Sequence, residues 1–274
     1  MEKYADLHVH TSFSDSIYSP EEVLRKAKEA GLSAVGICDH DSVKGIEEAV
    51  KLEEKYGVEV IPGIEMSTEL HNQEIHILGY FFNWRDPGFK ALLKTIQEVR
   101  LWRAELIVTK LQGLGFNLEF DEVRKEASSE SIGRPHIARL MVKKKYVETA
   151  DEAFEKYLRA GAPAYVGKYE MLPEDAVRKI REMQGIPVLA HPKFSVMPED
   201  EFERLVRLGL MGVEVYHSRH SPEESEQYLK LARKYGLLVT GGSDSHGEED
   251  PIGCVRVPYS HVAELKKAKL SLLG

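Results

Sequence analysis

ADLHVHTSFSD, residues 5–15, decides how the rest of the chain is read. Side chains alternate along a strand, so His8 and His10 point to one face. Asp15 follows five positions after His10. Two adjacent imidazoles add little to a folded core, whereas a metal ion gains a great deal from them. The remaining sequence is therefore read for further ligands and for a fold that gathers them.

The bulk properties set limits. A chain of 274 residues has room for one large domain or for a domain with a sizeable insertion. Its 42% hydrophobic and 30% charged residues describe a globular protein. No run of about 18 apolar residues offers a membrane span. Two cysteines, Cys38 and Cys254, give no disulfide framework. The opening MEKYADL has neither the charged nor the apolar block of a signal peptide, so a cytoplasmic location is expected. A net charge of −8 disfavours a long nucleic-acid groove, though not a small anionic ligand.

Outward from the opening stretch, helices and short apolar strands alternate. Ser19-Pro20-Glu21-Glu22 reads as an N-cap, a first-turn proline and a capping-box acid. Val23, Ala27 and Ala30 keep helical spacing until Gly31, and the run 34–38 follows. A second helix is expected from about Ser42 to Tyr56. The same alternation recurs in 173–190, 198–215 and 222–240. With strands near 6–10, 58–62 and 74–80, this makes seven strands, which predicts a parallel sheet closed into a barrel. Residues 86–169 break the rhythm with helical pattern alone and read as an insertion after the fourth strand.

Nearly every strand delivers His, Asp or Glu near its end. His8 and His10 end the first, Asp39-His40-Asp41 follows the second, Glu65 follows the third and His76 lies in the fourth. His191 ends the fifth, Glu214 and His217 belong to the sixth, and Asp244 and His246 follow the seventh. Taken singly, His217, His220, Asp41 and Glu214 read as core or capping residues, His71 and His261 as surface, and Asp39 as an acid that orients a histidine ligand. As a set they would bury a costly polar cluster unless something binds it. Imidazole plus carboxylate without cysteine suits zinc, manganese or iron.

DLHVHTSFSD, CDHD, PGIE, the histidine of HILGY, AHP and SDSH resemble, in order and spacing, the PHP family, the polymerase and histidinol phosphatase superfamily. The resemblance implies an α/β fold, a distorted (β/α)7 barrel over residues 1–85 and 170–274 with a helical cap over 86–169. It also implies three divalent transition metals. One would be held by His8, His10, Glu65 and Asp244; Glu65 would bridge to a second on His76 and His191; Asp15, His40 and His246 would hold the third.

GRPHIAR, residues 133–139, resembles the cap of the branch that hydrolyses nucleoside 3′,5′-bisphosphates and trims 5′-phosphorylated oligonucleotides. By that likeness Arg100, Arg103, Arg134, His136 and Lys168 bind the phosphate that is not cleaved. The expected activity is a metal-dependent phosphoesterase acting on a small phosphorylated nucleotide or a short RNA 5′ end, with no membrane and no obligate protein partner. Asp244 is the expected proton shuttle, and His217 or His246 the acid for the leaving oxygen. Histidinol-phosphate phosphatase and a non-catalytic metal-binding accessory module are the alternatives.

Overall fold

The computed structural model describes residues 2–71, 73–127, 132–167, 171–195 and 197–274. The first half of the barrel comprises β1 (Tyr4–Val9), α1 (Pro20–Glu29), β2 (Ala34–Ile37), α2 (Lys44–Val50), α3 (Glu53–Tyr56), β3 (Glu59–Leu70) and β4 (Gln73–Tyr80). The inserted helices are α4 (Pro87–Gly113), α5 (Phe120–Ala127), α6 (Arg134–Lys143) and α7 (Ala150–Ala153), which runs into a π turn at Phe154–Leu158. The barrel resumes with α8 (Pro173–Glu182), β5 (Ile186–Leu189), α9 (Glu199–Arg207), β6 (Gly212–His217), α10 (Pro222–Tyr235), β7 (Leu238–Gly242), β8 (Val257–Pro258) and α11 (Tyr259–Ser271). No described helix is long and apolar enough to cross a membrane.

Local signals account for the helix ends. Ser19 caps α1 in a reciprocal capping box with Glu22, Pro20 opens it, and Gly31 leaves it at φ 72°. Ser221, Pro222, Glu224 and Gly236 repeat the arrangement on α10. The expected helix 42–56 is two helices, α2 and α3, separated at Lys51-Leu52.

The strands lie in the order β7-β6-β5-β4-β3-β2-β1-β8 and curl into a nearly closed barrel. The wholly parallel sheet expected from the alternation is corrected at β4, which is antiparallel to both β3 and β5. β3 does not stop near residue 62; it runs on through Glu65 to Leu70, only two residues before β4. So short a link allows a hairpin, because a parallel return needs a dozen residues or more. β8 is an eighth strand of two residues, antiparallel to β1 and too short to carry a sequence pattern.

β7 closes on β1 without a ladder. Val9 bridges Ser245, and the Asp244 N–H donates to the His8 carbonyl at 2.8 Å. The approach requires Gly242, where a Cβ would lie 2.3 Å from the His8 nitrogen. Ala5, Ala34 and Ile186, near the N-terminal ends of their strands, share a buried cluster with Val262 and Leu265 of α11. α11 thus covers one end of the barrel, and the other end remains a mouth. The register of β1 against β2 shifts between Asp6 and Val9, just before its end.

Phe89, Leu93 and Ile96 of α4 pack in the core that joins barrel and outer helices. Residues from Ala104 to Ala164, including Leu111, Val123, Ile137 and Leu158, form a second core of their own.

Candidate metal centre

The mouth gathers all nine sequence-expected ligands. Three overlapping groups, His8-His10-Glu65-Asp244, His40-Glu65-His76 and His10-Asp15-His40-His246, each have donor atoms within 4.8 Å of one another. His191 Nε2 completes the set, 2.9 Å from Glu65 Oε1 and 3.3 Å from His76 Nδ1. Direction explains how two neighbouring strands supply one expected ligand each: β3 carries Glu65 past the mouth in mid-strand, and β4 comes back past it, with His76 opposite Ser67.

Glu65 is the hub. Imidazole nitrogens of His8, His10, His40, His76 and His191 lie 3.4, 3.2, 3.2, 2.8 and 2.9 Å from its carboxylate. Two oxygens cannot accept well-aligned bonds from five rings. Accordingly Glu65 Oε2, Asp15 Oδ1 and Asp244 Oδ1 are buried without a hydrogen-bond partner despite the surrounding nitrogens. Orphaned anionic oxygens among converging imidazoles fit a divalent cation, and six imidazoles with three carboxylates and no thiolate fit zinc, manganese or iron.

Electrostatics agrees. Burial works against charge on Asp15, Glu65 and Asp244, yet the imidazoles facing them hold all three well below the usual carboxylate range. Burial likewise opposes protonation of His8, but Glu214, Asp244 and Glu65 together raise its pKa well above the ordinary value. The carboxylates that hold a proton on His8 would attract a cation in its place.

Hydrogen bonds sort the histidines into two kinds. His8 Nδ1 donates to Glu214 Oε1 at 3.0 Å, and His246 Nδ1 donates to the Asp244 carbonyl at 2.8 Å. Each then directs Nε2 into the cluster, the arrangement of a metal ligand. His217 is the reverse: its Nδ1 accepts from the Arg219 N–H at 3.0 Å, so Nε2 bears hydrogen, 3.3 Å from Asp244 Oδ2. Strain marks the site as well, since Asp41, His191 and Asp244 have φ of 48°, 23° and 55°.

Two outer acids exchange roles. Asp39 accepts from the Thr11 N–H, Thr11 Oγ1 and Ser14 Oγ, each at 2.7 Å. It therefore pins the loop before Asp15. The acid that holds a candidate ligand, His8, is Glu214, which taken singly reads from sequence as a core or capping residue. His71 is exposed as expected, whereas the His261 side chain is only 19% exposed.

A cavity of about 450 Å³ opens beside the ligands. His40, Glu65, His76, His191 and Asp244 line one side; Glu74, Arg134, Phe154, Arg159, Tyr165 and Phe194 are among the others. Arg134 pairs with Glu74 and donates to the Leu158 carbonyl at 3.1 Å. Arg100 and Arg103 do not line it. Arg100 pairs with Asp41 and donates to Ser67 Oγ at 3.0 Å; Arg103 donates to the Val166 carbonyl at 2.7 Å, and burial lowers its pKa to about 10. His136 is fully buried, accepts from the Gly133 N–H at 3.0 Å, and burial lowers its pKa to about 4. Lys168 lies outside the described residues. Phe194, three residues past His191, was open to notice from its place beside the AHP motif.

The chain is similar to known proteins over most of its length. The chain is 32% identical over 251 residues to a 5′-3′ exoribonuclease of Haemophilus influenzae, covering 90% of this chain and 91% of that one. It is 32% identical over 246 residues to a 3′,5′-nucleoside bisphosphate phosphatase of Chromobacterium violaceum, covering 88% and 86%. An amidohydrolase structure from Chromobacterium violaceum, with bound sulfate and no metal, superimposes with a TM-score of 0.89 at 30% identity over 96% of both chains. The PHP domain profile matches residues 6–167, and the chain belongs to the PHP domain family.

Proposed function

We propose that this chain is a metal-dependent phosphoesterase that hydrolyses a phosphomonoester of a small nucleotide, taking a 3′,5′-nucleoside bisphosphate to the monophosphate, with short 5′-phosphorylated RNA as a further substrate. One observation carries the reading: His40, Glu65, His76, His191 and Asp244 of the candidate metal site line the same cavity as Arg134. The names of the two curated relatives support the substrate class. A nucleotide substrate implies a cytoplasmic enzyme, and the barrel with residues 86–169 as its cap is the unit that would act.

His8, His10, Glu65 and Asp244 would hold one ion, Glu65, His76 and His191 a second, and Asp15, His40 and His246 a third. Manganese, zinc or iron bound there would lower the pKa of water and neutralise phosphoryl oxygens. Asp244 Oδ2 would receive the proton of the attacking water. His217 Nε2 carries hydrogen and could hydrogen-bond the leaving oxygen, serving as its acid once Nδ1 is also protonated, whereas His246 directs an unprotonated Nε2 toward Asp15. Arg134 would bind the phosphate that is spared.

Phosphate release from nucleoside bisphosphates, 5′-phosphorylated RNA, histidinol phosphate and p-nitrophenyl phosphate, with Mn²⁺ and Zn²⁺ compared, tests the reading. The bisphosphates should give the highest kcat/KM. A preference for histidinol phosphate would overturn it.

A further inference from the structure

We propose that the inserted helices hold the third ligand cluster in place, so that one of the three ions depends on the cap and the other two do not. The inference rests on the three-cluster reading above.

The ligands differ in what anchors their backbone. His8, Glu65 and His76 lie within paired strands, and Asp244 is bonded to β1 through its own N–H. Asp15 instead sits in the loop after β1, and His40 follows β2, joined to β3 by a single bridge to Glu65; both segments are gripped from the insertion. On α6, Arg139 Nη1 donates to the Asp15 carbonyl at 2.7 Å. The same loop reaches the third ligand, since the Ile17 N–H donates to the His246 carbonyl at 3.0 Å. On α4, Arg100 pairs with the Asp41 carboxylate, and Gln97 Nε2 donates to the Asp41 carbonyl at 2.8 Å. Asp41 follows His40 at φ 48°, a conformation that its neighbours must sustain.

Arg139 and Arg100 are thus positioning residues. Their charges are engaged by the barrel rather than offered to a substrate, and they act on the ions only through Asp15 and His40. Removing a partner of this kind lowers metal affinity by roughly 10–100-fold.

The test titrates metal-free, full-length protein with Mn²⁺ and reads the free ion by electron paramagnetic resonance. Wild type should take three ions per chain. Arg139→Gln should take two at wild-type affinity and the third roughly 10–100-fold more weakly; Arg100→Gln, which acts through His40, should weaken the third ion in the same range. Arg139→Lys, which keeps one donor for one carbonyl, should restore most of the loss. A third ion bound as in wild type by both glutamine variants would overturn the proposal. So would equal weakening of all three ions with a lowered melting temperature of the metal-free chain, because the helices would then serve the fold as a whole. A wild-type chain that takes only two ions overturns the three-cluster reading itself, and this proposal with it.

Discussion

Glu214 joins two of the candidate ligands: its Oε1 lies 3.0 Å from His8 Nδ1, and its Oε2 accepts the His191 N–H at 2.8 Å. Both partners are donors, and a carboxylate satisfies both. Glu214→Gln would turn an NH2 toward one of them, leaving two donors face to face in a buried site. Metal affinity should fall by roughly 10–100-fold, with activity partly restored by excess Mn²⁺. An unchanged Mn²⁺ titration would show that His8 is oriented by other contacts.

Glu65→Gln keeps the shape of the hub and removes the charge that five imidazoles surround. Turnover should fall by several orders of magnitude, with metal content reduced. Near-normal turnover with unchanged metal content would mean that Glu65 bridges nothing.

Arg134 is paired with Glu74, so a phosphate must compete with a carboxylate for the guanidinium. Charge-assisted hydrogen bonds of about 1.5–3 kcal/mol convert to roughly ten- to hundred-fold in kcat/KM. Arg134→Ala should lose that factor on a 3′,5′-bisphosphate and little on p-nitrophenyl phosphate, while Glu74→Gln should lower KM for the bisphosphate. Equal losses on both substrates in Arg134→Ala would assign the residue to the reacting phosphate or to cap folding.

His136 sets a pH dependence of stability. Its folded pKa of about 4 lies below the ordinary 6.5, because burial excludes the charged form. Above pH 6.5 both folded and unfolded chains carry it neutral, and its contribution is complete. As pH falls from 6.5 toward 4 the unfolded state takes up the proton first, and stability drops by up to about 1.4 kcal/mol per unit. His136→Asn, which keeps an acceptor for the Gly133 N–H, should flatten that part of the profile. Urea midpoints of the metal-free proteins between pH 7 and 4.5 give the answer, and parallel profiles would remove His136 from the account.

Gly242→Ala would set a Cβ 2.3 Å from the His8 nitrogen, where backbone meets backbone. Opening that seam should cost about 1–3 kcal/mol and weaken metal binding together, since His8 and Asp244 flank it. The urea midpoint and Mn²⁺ stoichiometry of the variant measure this. A midpoint equal to wild type would mean that the two strands tolerate separation.

The caps of α1 and α10, most of the strand positions and the nine imidazole and carboxylate residues that converge at the mouth were legible in the sequence because each depends on residue type and local spacing. Ser19 and Glu22 find each other three residues apart, and His8 and His10 share a face through strand geometry alone. Direction and partnership were not legible. β4 runs backward because β3 continues past its apolar run through Glu65 and Glu69, polar residues that a strand pattern does not anticipate. Arginines look alike in sequence, yet Arg100 is taken by Asp41, 59 positions away, and Arg134 by Glu74, 60 positions away. The ring nitrogen that carries hydrogen in His8, His217 and His246 is likewise set by neighbours that only folding supplies. Composition and spacing act along the chain, whereas charge pairing and hydrogen bonding act through space, and so the choice among chemically equivalent side chains belongs to the tertiary structure.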